Sequence, residues 1–165
     1  MTNKDAKYWV DQLSLELHPE GGYYKETYRS NEQLFIGGTE SKRNISTGIY
    51  FLLTHDTFSA FHRIKSDEMW HSYSGDPLEI FVFQPDGDLK IVQLGLDFSA
   101  GQVPQAVVPA NCWFASRVKR NGRFSLVGCT VAPGFDFEDF EMADRHKLQT
   151  EYPQHTALIE SLTRV

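Results

Sequence analysis

Between Tyr23 and Val131 the chain is a succession of short runs in which apolar and polar positions alternate, cut by glycine, proline and asparagine. A period of two is the mark of a half-buried strand. It predicts strands over 23–29, 46–54, 57–63, 68–74, 78–84, 89–94, 105–108, 112–118 and 124–131. Within the second, Ile49-Tyr50-Phe51-Leu52-Leu53 is apolar without a break, as in a strand covered on both faces. Gly75-Asp76-Pro77, Pro85-Asp86-Gly87-Asp88 and Asn121-Gly122 are turn sequences between neighbouring strands. Many short strands with no helical pattern between them predict a sandwich or barrel, not a doubly wound sheet.

Helical periodicity is confined to the two ends. Residues 2–15 carry an apolar stripe of Tyr8, Trp9 and Leu13, with Thr2 and Asp5 placed to form a capping box. Residues 142–150 and 154–162 read as helices, the second started by Pro153. His18-Pro19-Glu20-Gly21-Gly22 breaks the first helix from the strands. The polar stretch from Asn31 to Arg43 is expected to be a mobile loop, and Phe135 to Glu141 to begin as a loop or short strand.

A length of 165 residues suits one domain spanning 1–165. Aromatics at 13% strengthen the strand assignment and can also wall a ligand cavity. The net charge of −6, with no block of Lys or Arg, argues against nucleic acid as a partner. No apolar run approaches the ~20 residues of a membrane span, and no signal-peptide core follows Met1–Lys7, so a cytoplasmic protein without membrane contact is expected. Cys112 and Cys129 stand in apolar runs outside any CxxC pair and are expected to be buried free thiols. There is no GxSxG elbow, phosphate loop, GxGxxG or HExxH.

The densest chemistry lies between Phe61 and Gly75. On a regular pleat Phe58, Ala60 and His62 share one face and Glu68, Trp70 and Ser72 another; if both faces point inward, His62 and Glu68 meet inside the barrel. A buried Glu68 needs a partner, because an unpaired carboxylate in an apolar interior is costly. His71, three residues from Glu68, falls on the opposite face unless a bulge intervenes. Trp113 and Phe114 point opposite ways, so one of them faces the interior, and Gln105 is a polar residue in an apolar strand. Around Gly21-Gly22, His18, Glu20, Tyr23, Tyr24, Glu26, Tyr28 and Arg29 form either a pocket mouth or an edge strand used for dimer contact. Regular alternation groups Tyr24, Glu26 and Tyr28 on one face.

The blocks His18-Pro19-Glu20-Gly21-Gly22-Tyr23-Tyr24, Tyr28-Arg29-Ser30, His62-Arg63, Ser66-Asp67-Glu68-Met69-Trp70-His71, Pro104-Gln105, Val108-Pro109 and Val131-Ala132-Pro133-Gly134-Phe135-Asp136-Phe137 together resemble the cupin-like family DUF985, or cupin 5, over roughly residues 10–150. The resemblance implies an all-β fold, a cupin-type double-stranded β-helix (jelly-roll barrel) with short N- and C-terminal helices. It also implies a homodimer, and a distant likeness to sugar-nucleotide epimerases and seed storage proteins, with no assigned reaction. Against the usual cupin motifs, His62, Glu68 and Gly75 match, but Ile64 or Ala60 stands at the other histidine of the first motif. Phe114 stands at the histidine of the second, after Pro109 and Asn111. A divalent metal cofactor is therefore not expected, the remaining candidate set being His62, Glu68 and His71.

Three readings follow. The first is a small-molecule-binding cupin for a carbohydrate or sugar-nucleotide-like ligand, with Trp70, His71, Tyr73, Gln105, Trp113 and Phe114 around the ligand. The second is a metal-independent isomerase or epimerase with His62 as base, Glu68 orienting it and Tyr24 or Tyr73 as acid. The third is a metal-dependent enzyme.

Overall fold

Asp5 caps the first helix: its carboxylate accepts from the Tyr8 N–H at 2.9 Å and starts α1 (Ala6–Leu13). Thr2 lies outside the residues described by the structure, a computed structural model covering 4–37 and 41–164. Ser14 takes a left-handed conformation (φ 51°) and ends the helix short of the predicted Leu15. Trp9, Val10 and Leu13 then pack with Leu15, Leu52, Phe124 and Leu126 on the outside of a sheet.

The strands follow as β1 (Glu16–Leu17), β2 (Tyr23–Arg29), β3 (Gln33–Phe35), β4 (Lys42–Asn44), β5 (Thr47–Thr54), β6 (Phe58–Ile64), β7 (Asp67–Gly75), β8 (Leu78–Phe83), β9 (Leu89–Leu94), β10 (Gln105–Val108), β11 (Phe114–Val118), β12 (Phe124–Ala132) and β13 (Phe140–Met142). Helices α2 (Arg145–Glu151) and α3 (Thr156–Ser161) complete the chain, with a 3-10 turn at Pro153–His155 between them. One antiparallel sheet has the order β1-β2-β5-β12-β7-β10; the other has β13-β6-β11-β8-β9. The stretch expected to be a mobile loop instead contains the hairpin β3–β4, its tip at residues 38–40 lying outside the described residues.

Inward-facing residues of both sheets form one cluster that includes Phe51, Trp70, Ile80, Val82, Phe114, Val127 and Cys129. A second cluster fills the space between the outer face of the five-stranded sheet and the C-terminal helices, where Phe61, Phe81, Phe83 and Trp113 meet Leu148, Ile159 and Leu162. The alternation Trp113-Phe114 is thus resolved by those helices. Both residues are buried, Phe114 inside the barrel and Trp113 on the far side of the sheet, beneath the Arg63 guanidinium.

Three register shifts decide which side chains reach the interior. In β2, Glu26 pairs with Ile49 and Tyr28 with the adjacent Gly48, so Thr27 is an extra residue. The bulge sends Arg29 inward with Tyr24 and Glu26 and leaves Tyr28 exposed, correcting the face expected from regular alternation. In β6, three steps from His62 to Ser59 oppose two steps from Phe114 to Ser116, which brings Ser59 to the same carboxylate that His62 meets. In β7, Tyr73 is the extra residue opposite Leu126 and Val127. Pairing from Glu68 to His71 is regular, so His71 faces away from Glu68.

The turn between β1 and β2 is held by the His18 N–H on Gly22 O and the Gly21 N–H on His18 O, both 3.0 Å. Gly22 has φ +78°, and a Cβ there would lie 2.6 Å from Leu52 O. Gly22→Ala is therefore expected to lower the unfolding free energy by about 2–3 kcal/mol in urea denaturation; unchanged stability would contradict the constraint.

Candidate functional site

The turn from His18 to Gly22 delivers Glu20 into the barrel, where it is buried together with His62 and Glu68. Its backbone is clamped from outside, its carbonyl accepting from Arg164 Nη2 at 2.7 Å and from the Ala60 N–H at 3.4 Å. The Glu20 side chain receives the Ser59 hydroxyl, lies 3.2 Å from His62 Nδ1 through Oε2, and 3.4 Å from His18 Nδ1 through Oε1. These groups line a cavity of about 440 Å³ with Tyr24, Glu26, Arg29, Thr47, Ile49, Ile64, Glu68, Cys129, Val131, Phe135, Asp136 and Phe137.

Hydrogen bonding gives the two imidazoles opposite characters. His62 Nδ1 donates to Ala60 O at 2.7 Å, which leaves the lone pair on Nε2. His18 Nδ1 accepts from the Glu20 N–H at 3.2 Å, which puts the His18 proton on Nε2. Burial, and to a lesser extent the neighbouring His62, holds the His18 pKa below its ordinary value, against the opposing pull of Glu20. Tyr24 packs edge-on against His18 at 4.5 Å between ring centroids.

Glu68 enters from β7 between Val131 and Val108 on the flanking strands. Burial first, then repulsion from Glu20, pushes its pKa up to about 8, the Cys129 hydrogen bond acting in the other direction. Glu68 is thus a neutral carboxylic acid at pH 7. Burial and the adjacent carboxyl push the Cys129 thiol well above its usual range, so it is not a thiolate nucleophile. At the mouth, Arg29 is spent on Glu26, on Asn44 Oδ1 at 2.8 Å and on Phe135 O at 3.1 Å. Asp136 caps the following turn by accepting from the Glu138 N–H.

Of the residues expected at the site, His62, Glu68 and Tyr24 line the main cavity, and Trp70 lines a small deeper chamber beneath it. Phe114 is inside the barrel but packs on His62, ring centroids 4.1 Å apart. The others are elsewhere. His71 lies on the outer face of its sheet, where Nε2 meets Thr130 Oγ1 and Nδ1 meets Gln105 Nε2, both at 3.1 Å. Tyr73, at the bulge, stands over Gly128 beside Tyr50 on that same outer face, and Trp113 is beneath the C-terminal helices. The contact expected between Glu68 and His62 is made to His62 by Glu20 instead.

His18, Glu20 and Arg29, for which the sequence leaves open a pocket mouth or an edge strand, line the cavity, as does Asp136, which the sequence leaves without a role. Their signal is the set of blocks His18–Gly22, Tyr28–Ser30 and Pro133–Phe137, which are separate in sequence and converge on one cavity.

Cupin barrels commonly hold a metal on histidines and a glutamate, so the donor set matters. Phe114 fills the place of one histidine, His71 is outside, Glu20 holds His62 Nδ1, and His18 Nδ1 is taken by the Glu20 backbone N–H. Among the described residues no three His, Cys, Asp or Glu side chains are grouped to hold a metal ion. The set His62, Glu68 and His71 does not come together, and the residues present do not fit the cupin metal site.

Two antiparallel sheets closed around a polar interior, with short helices at the ends, define a cupin-type barrel. The chain belongs to the Cupin superfamily family DUF985, whose sequence profile matches residues 7–143. It is 36% identical over 143 residues to the uncharacterized protein YML079W of Saccharomyces cerevisiae, covering 79% of this chain and 71% of the yeast protein. It superposes on a hypothetical protein from Leishmania major with a TM-score of 0.91 at 36% identity, over 98% of this chain and 99% of that one. Protein SO0799 of Shewanella oneidensis gives 0.88 at 43% identity, over the same shares. Bacillus subtilis oxalate decarboxylase shares the fold alone, at 11% identity and a TM-score of 0.56, over 88% of this chain and 36% of its own.

Because Glu68 titrates near 4.5 when unfolded and near 8 when folded, the folded state binds the extra proton between those values, and stability falls as pH rises through that window. Glu68→Gln keeps the shape and cannot ionise. Thermal melts are expected to show it close to wild type near pH 4 and more stable than wild type at pH 8, by a few kcal/mol. A difference that does not vary with pH would contradict the assignment.

Proposed function

We propose that the cavity binds a small, polar hydroxy-carbonyl compound and moves a proton on it, in the manner of an isomerase or epimerase. The observation that carries this reading is a carboxyl group protonated up to about pH 8 sharing one cavity with an imidazole whose Nδ1 is tied down. Two titratable groups whose surroundings set them to opposite tasks are the usual arrangement of an acid–base site.

In the reaction, His62 Nε2 takes the proton from the carbon next to the carbonyl. The C–H electron pair becomes the C=C bond of an enediol, and the carbonyl π pair takes the proton of Glu68. The His62 imidazolium formed is stabilised through Nδ1 by Glu20, which acts as a positioning residue. For isomerisation His62 gives its proton to the neighbouring carbon while the hydroxyl on the original carbon gives its proton to the Glu68 carboxylate, re-forming a carbonyl and the acid. For epimerisation a water on the opposite face protonates the original carbon, His62 releases its proton to solvent, and the first enediol hydroxyl returns its proton to Glu68. Tyr24 is the other hydroxyl in the cavity suited to orient the substrate.

Solvent exchange tests this without knowing the substrate. C3–C6 aldoses and ketoses incubated in D₂O are expected to lose the proton next to the carbonyl, as read by ¹H NMR, and His62→Ala is expected to slow the exchange about 10²–10⁴-fold. Exchange should also fall as pH rises through about 8, where Glu68 loses its proton. Wild-type rates in the variant, or no exchange with any compound, would remove the reading.

No helix among the described residues is long and apolar enough to cross a membrane. The two free, buried thiols suit a cytoplasmic setting. We also propose a homodimer. Among the described residues β1 pairs with Tyr23 and Tyr24 and no strand continues along the rest of β2, an edge that a second copy can extend across a two-fold axis. Light scattering at micromolar concentration is expected to give twice the 18.9 kDa chain mass; a monomer would contradict it.

A further inference from the structure

Below the main cavity lies a second chamber of about 20 Å³. It shares His18, Glu20, Ile49, His62, Glu68 and Cys129 with the cavity above and adds two walls, Phe51 and Trp70. Its volume holds one water-sized atom and no more. Trp70 is 2% exposed, yet its indole N–H has no acceptor among the described residues. Among the described residues the other buried side-chain polar atoms without partners, Trp9 Nε1 and Ser116 Oγ, belong to neither chamber.

A buried N–H without an acceptor is rare, because nothing offsets the hydration it has lost. Around the Trp70 chamber the Glu68 carboxyl group and the His18 Nε2–H also offer protons, the Cys129 thiol is hydrogen-bonded to Glu68, and His62 Nε2 presents a lone pair. Glu20 Oε2 is already engaged by Ser59 and His62, and Oε1 faces His18 Nδ1 at 3.4 Å. An atom that satisfies the Trp70 N–H must be an acceptor.

The charge of the atom's parent molecule is limited from above. Glu20, Glu26 and Asp136 line the main cavity beside the neutral Glu68. Arg29 is the one Lys or Arg among its described lining residues, and it is bound to Glu26. A carboxylate or phosphate would be repelled on its way in.

We propose that the chamber is an oxygen subsite, in which the Trp70 indole N–H binds the carbonyl oxygen of an uncharged ligand and a water molecule takes its place when the ligand is absent. This deepens the proton-transfer reading by naming the ligand's charge and the atom that leads it in. It also favours a free carbohydrate over a sugar nucleotide.

The test reads electron density and not turnover, so its failure is separable from failure of the acid–base chemistry. A crystal structure of the wild-type chain is expected to show one ordered oxygen within 3.2 Å or so of Trp70 Nε1. Trp70→Phe, which removes only the donor and a ring, should lose that oxygen while the fold persists. Soaks at pH 7 compare two molecules of one shape: acetamide is expected to place its carbonyl oxygen in the chamber, and acetate to stay out. A dry chamber, an indole N–H bonded to a protein atom, or acetate seated as well as acetamide would each overturn the proposal.

Discussion

Glu20 sits where a carboxylate should be expensive, buried within a barrel, and the arrangement around it is what makes the interior usable. Its backbone is tied to β6 and to Arg164 near the end of the chain, while its two oxygens reach Ser59, His62 and His18. A buried charge left without partners would be unstable, so those contacts have to be met together. Meeting them orients both imidazoles. It also places negative charge beside Glu68, which adds to burial in keeping that second carboxyl protonated. One interaction thus sets the character of three titratable groups.

The glycines next to Glu20 exist for the same reason. Gly21 and Gly22 have positive φ, and each comes so close to a neighbouring backbone carbonyl, that of Phe58 or of Leu52, that no side chain fits. The turn can therefore pass between β5 and β6 and drop the preceding residue into the cavity. From the opposite side, the segment after Pro133 is pinned by the Gly134 N–H on Asn44 O and the Phe135 N–H on Thr47 Oγ1. Nearby, Arg43 pairs with Asp139 and Glu138. Two segments more than a hundred residues apart are thus each locked to the barrel before either can contribute to the mouth.

The interior is divided by chemistry as well as by shape. Aromatic and aliphatic side chains fill one part of the barrel from Phe51 to Phe114, and polar groups collect where β2, β5, β6, β7 and β12 converge. Phe114 marks the boundary. It occupies a position from which other cupins direct a histidine at a metal, and its ring against His62 replaces a ligand with a packing contact. The barrel is shared across the superfamily, while the donor set of this chain does not fit a metal site.

Strand positions, most turns and the terminal helices were legible in the amino-acid sequence, because alternation, glycine, proline and capping residues act over a few neighbours. Leu89–Leu94 and Gln105–Val108 are strands with the very limits their patterns indicate. Part of the site followed from the same local rule: His62, Glu68 and Tyr24 reach one cavity, and His71 turns away from Glu68. What alternation could not reveal is where it is interrupted. The extra residues at Thr27 and in β6 depend on the partner strand, and they turn Arg29 and Ser59 inward. Trp113 left the interior because the C-terminal helices cover the far face of its sheet. Glu20 became the centre of the site only through contacts with residues dozens of positions away. Local sequence determined the barrel's pieces; the polar contents of its cavity were decided by long-range contacts, since a buried charge takes its partners from whatever the closed fold brings near.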